Sequence, residues 1–122
     1  MARKFVSGTF LGLALLMIAT PALAAWHDST ITLPRNGWWY SVERDASGGT
    51  QQARVNSPEY DVVSNIDNGA GSNLSTNRTH ASGDNTTVDH NTGVNAGTTL
   101  RGAFRSSLVN QFTNTVDLGW NP

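Results

Sequence analysis

The feature that most restricts the fold is a two-residue alternation of apolar and polar side chains in short runs. Each run is cut off by Gly, Pro, Asn or Asp before a helical period can develop. In "STITL" (29–33), Ile31 and Leu33 share one face and Thr30 and Thr32 the other. "TQQARVN" (50–56) sets Gln51, Ala53 and Val55 against Thr50, Gln52 and Arg54. "EYDVVSNI" (59–66) aligns Tyr60, Val62, Ser64 and Ile66, and "FTNTVDLGW" (112–120) aligns Phe112, Val116, Leu118 and Trp120. Between the first two runs, Pro34-Arg35-Asn36-Gly37 reads as a tight turn, because Asn-Gly accommodates positive φ. In "TTLRGAFRSSL" (98–108), Leu100, Phe104 and Leu108 are spaced by four, which also suits a helix. Gly102 and the flanking Thr and Ser pairs lower helix propensity, so a strand is expected there. The pattern predicts an all-β fold: a small antiparallel β-sandwich or partly open barrel of about six or seven short strands.

The N-terminal segment reads differently. A basic start (Arg3, Lys4) leads into an apolar run over 10–19, followed by Pro21 and Ala22-Leu23-Ala24. This is the layout of a secretory signal peptide, with cleavage expected after Ala24. The run falls short of the ~20 residues that cross a bilayer. The expected destination is the cell envelope or the extracellular space, as one β domain over 25–122 with no transmembrane span. Those 98 residues carry no cysteine, so no disulfide staples the core despite export. Leu, Ile, Val and Phe supply only 17 of them, and the four Trp become the main source of buried area.

Charge excludes some partners. Six Arg against nine acids, with no Lys, leave this part of the chain at −3. Nucleic acid needs a concentrated basic surface, and an anionic membrane surface needs a polybasic one. The residues 67–97 form a polar, loop-rich region in which weak strands are expected near Leu74 and over 87–90. They include the sequons at Asn73, Asn77 and Asn85, which follow from the abundance of Asn, Ser and Thr.

Within "RNGWWYSVER" (35–44) a regular strand puts Trp38, Tyr40 and Val42 on one face and Trp39, Ser41 and Glu43 on the other. Val42 marks the first set as core. Trp39 then faces outward beside Glu43, an arrangement that suits a sugar ring: indole against the apolar face, carboxylate on the hydroxyls. Trp39, Glu43 and Trp120 are the expected ligand-binding residues, with Trp26 as a possible helper. A bulge near Gly37 would invert the facing.

Other constellations are weaker. His80, His90, Asp84 and Asp89 match no metal-ligand or triad spacing and read as a solvated loop. "DHNTG" (89–93) lacks the later ligands of a calcium loop. Glu43 and Glu59 are the only glutamates, too little for a claim of glycoside hydrolysis. Arg101 and Arg105 read as a solvated outer face. No catalytic residue, metal or cofactor is assigned. The expected function is noncatalytic binding of a polar polymer such as a cell-wall or matrix glycan. The alternatives are an envelope protein that self-associates through strand edges, and a small secreted toxin.

Overall fold

The computed structural model describes residues 25–107 and 113–122. The expected leader, and the side chains of Leu108 and Phe112, lie outside the described residues. Among the described residues the chain is all-β, with no helix and two antiparallel sheets. No helix among them is long and apolar enough to cross a membrane.

The strands are β1 (His27–Leu33), β2 (Trp39–Tyr40), β3 (Arg44–Asp45), β4 (Gln51–Asn56) and β5 (Val62–Asp67). They continue with β6 (Arg78–His80), β7 (Asn85–His90), β8 (Thr99–Ser106) and β9 (Asn114–Asn121). Sheet A has the order β1-β9-β4-β7; sheet B has the order β2-β8-β5-β6, with β3 also on β8. The region 67–97 thus contributes β6 and β7, one edge strand of each sheet. The stretch around Leu74 forms only an isolated bridge, Asp67 to Asn73.

The alternation does what its period requires. Leu33, Ala53, Val55, Val116, Leu118 and Trp120 of sheet A meet Val62, Ile66, Leu100 and Phe104 of sheet B in one core. Each fully buried aliphatic contributes about 1.5–3 kcal/mol. Gly102 has a packing reason: a Cβ there would lie 3.0 Å from Trp120 Cγ and 3.2 Å from Phe104 Cε2. Without that gap the largest side chain in the core would not lie flat on β8.

Two local expectations are corrected. Asn36-Gly37 does turn, with Gly37 at φ +78°, yet it makes no hairpin. β1 pairs with β9 and β2 with β8, so this turn carries the chain from one sheet to the other. The strand expected over 38–44 is also broken. Tyr40 pairs with Ala103 and Arg44 with Leu100, so the three residues 41–43 oppose only two on β8. This is a bulge. Ser41 holds it, donating its N–H to the Gly102 carbonyl at 2.9 Å and accepting the Gly102 N–H on Oγ at 2.8 Å. Val42 is pushed outward to 72% exposure.

Candidate functional site

The register of β2 on β8 settles which rings face out. Trp39 is opposite Phe104, so it shares the inner face and packs against the core, its ring 6.1 Å from that of Phe104. Tyr40 is the exposed ring, at 39%. The expectation of Trp38 and Tyr40 inside and Trp39 outside is reversed. That expectation rests on Val42, and a residue in a bulge does not report the facing of the strand before it. Trp120, expected at the ligand, is 1% exposed and fills the centre of the core. Glu43 is exposed at the bulge, with its carboxylate against the Gly69 backbone, where a Cβ would collide with it. Trp39, Trp120 and Arg44 line a cleft of only about 80 Å³ at the β1 edge, and Glu43 is not among its lining residues.

The outer face of sheet B carries two stacked pairs. The Arg101 guanidinium lies 3.6 Å from the centre of the Tyr40 ring, and that of Arg105 lies 5.2 Å from the Trp38 ring. Arg101 is also tied to buried Asp67, with Nε to Oδ1 at 3.4 Å.

The outer face of sheet A is different. Register places Asp28, Gly119 and Arg54 in one row across β1, β9 and β4, and Thr30, Asp117 and Asn56 in the next. Because Gly119 has no side chain, Asp28 and Arg54 reach each other over it. Arg54 Nη2 donates to Asp28 Oδ2 at 2.6 Å and Nε to Oδ1 at 3.1 Å, a bidentate pair. The same guanidinium stacks on the Trp26 indole, 4.2 Å from its centre. In the next row Thr30 donates to Asp117 Oδ1 at 2.6 Å. Asp28, Thr30, Arg54, Asn56 and Asp117 line an open groove of about 440 Å³.

No family model, curated protein or solved structure matches this chain. The functional reading therefore rests on the chemistry of the chain's own surfaces. The sequence offers Trp26 only as a helper and gives Arg54 and Asp28 no role at a site. Their juxtaposition depends on β1 pairing with β9 and β9 with β4, a register that no local pattern reveals.

The histidines also move. His80 and His90 are not on a solvated loop but on β6 and β7, both fully buried. Asp89 turns outward and accepts the Gln52 amide at 3.0 Å. Among the described residues no group of three His, Cys, Asp or Glu could hold a metal ion.

Proposed function

We propose that the chain is a noncatalytic binding module for a neutral polar polymer such as a cell-wall or matrix glycan, and that the outer face of sheet A is its working surface. The observation that carries this reading is the row Asp28–Gly119–Arg54, stacked on Trp26 and continued by Thr30, Asp117 and Asn56. A sugar hydroxyl both donates and accepts, so it matches a surface that alternates carboxylate, guanidinium, amide and hydroxyl. The indole supplies the apolar patch that the ring face needs. Two carboxylates against one guanidinium leave the groove slightly negative, which favours a neutral polymer over an acidic one. Both oxygens of Asp28 are engaged by Arg54, so the groove offers recognition rather than a free acid–base pair.

The test is co-sedimentation of the protein with insoluble peptidoglycan, chitin and cellulose. Wild type should bind one of them saturably without cleaving it. Trp26→Ala should weaken binding about tenfold or more, a loss of about 1.4 kcal/mol. Gly119→Ala should weaken it too: the new methyl group meets the flexible end of Asp28, so the row is disrupted while the sheet stays folded. Equal binding by all three proteins would defeat the assignment of this face.

One observation favours a second reading, assembly through strand edges. β1 is an edge strand of seven residues without proline, lysine or a bulge, the devices that usually blunt such edges. Assembly predicts a sedimentation coefficient that rises with protein concentration and does not respond to Trp26→Ala.

A further inference from the structure

The far edge of the two sheets contains a buried chain of hydrogen bonds that the groove does not use. Ser64 of β5 points inward, with Oγ 2.8 Å from His80 Nε2 and 2.9 Å from His90 Nε2. His80 Nδ1 lies 2.7 Å from Thr86 Oγ1, and His90 Nδ1 lies 3.1 Å from Ser75 Oγ. Ser75 Oγ in turn accepts the Ile66 N–H at 2.9 Å. His80 belongs to sheet B and His90 to sheet A, so one hydroxyl joins an edge strand of each sheet. A second link crosses nearby, where Arg78 Nη1 of β6 donates to the Asp89 carbonyl of β7 at 3.2 Å.

Proton accounting shows what this arrangement tolerates. With both rings neutral, the chain Thr86–His80–Ser64–His90–Ser75 is satisfied in either direction: each ring donates once and accepts once, and Ser64 donates to one ring and accepts from the other. One added proton still leaves the Ser64 hydrogen an acceptor. A second turns both Nε2 atoms into donors aimed at the same oxygen, strands the Ser64 hydrogen, and buries two cations against one hydroxyl. The surrounding charges do not compensate. Arg78 adds a third positive charge that opposes both rings; the backbone at Thr86 favours cationic His80, and the backbone at Thr76 and the Asp89 carboxylate favour cationic His90, but burial outweighs them. From β4 the residue paired with His90 is neutral Gln51; on β5, Asp67 is committed to Arg101.

We propose that the His80–Ser64–His90 seam is an acid-operated latch: it holds β6 and β7 together at neutral pH and releases them when both rings are protonated. Burial holds each imidazole well below its ordinary value, at about 4. Both rings bind protons more readily once the seam is open, so the closed form loses stability as pH falls from about 6.5. The loss is complete below about 4. Opening leaves the outer edges of β4 and β5 without their neighbours.

Hydrogen exchange on the wild-type protein at pH 7 and pH 4, corrected for intrinsic rates, tests this. Protection of the β6 and β7 amides should fall about 100-fold or more, while β1 and β9 change little. The ring resonances of His80 and His90 should titrate over the same pH range as the loss. His90→Gln, which can still hydrogen-bond but does not titrate there, should keep β6 and β7 protected at pH 4. Undiminished protection of β6 and β7 in wild type at pH 4, or an equal loss in every strand, would overturn the proposal. Because the wild-type measurement stands alone, a variant that fails to fold does not decide the outcome.

Discussion

Trp120→Ala is expected to remove about 3–5 kcal/mol of stability, the usual cost of deleting a buried indole. A domain of this size has about 5–15 kcal/mol in total, so the variant should give up a large share of its stability. The physical reason is position. Trp120 is 1% exposed, lies over the flat spot left by Gly102, and belongs to β9, which pairs with both β1 and β4. Its loss leaves a cavity that no neighbour fills without moving a central strand. Without disulfides, nothing covalent limits the damage. Urea denaturation followed by far-ultraviolet circular dichroism checks it. A loss below about 1 kcal/mol would mean the core collapses around the gap.

The second large effect separates the adjacent tryptophans. Trp39→Ala should cost about 2–3 kcal/mol, because its ring packs on Phe104 and the core. Trp38→Ala should cost about 1 kcal/mol or less, since its described ring contact is the Arg105 guanidinium on the outer face. Thermal unfolding of the two variants under one set of conditions decides between them. Equal losses, or the reverse order, would contradict the facing that the register of β2 on β8 imposes.

This pair also shows how much of the molecule is legible in its sequence. Period-two runs reported the strands well wherever a run was regular. Ala53 and Val55, or Val116, Leu118 and Trp120, alternate and are buried as alternation demands. Facing failed at 41–43 because a bulge has no period, and the apolar Val42 inside it pointed to the wrong face. The histidines show a related limit. Local polarity around His80 and His90 resembles a solvated loop, and only the fold brings in Ser64, Thr86 and Ser75 as their partners. The groove on sheet A lay beyond local reading altogether. Asp28 and Arg54 are 26 residues apart and meet because a glycine on a third strand lies between them.

The position of β9 has a kinetic consequence. Sheet A is organised around β9, the last of the described strands, which pairs with the first of them, β1: Thr30 and Asp117, joined side chain to side chain, are 87 residues apart. Such long loop closures must be completed before their contacts return any free energy, which places folding in the milliseconds-to-seconds range of all-β domains. Until 114–121 has emerged, β1 has no neighbour and β4 has only β7. A growing chain can therefore complete sheet B and the β4–β7 pair, but not sheet A. Among the described strands β9 is the keystone: its arrival joins β1 to β4 and closes the core.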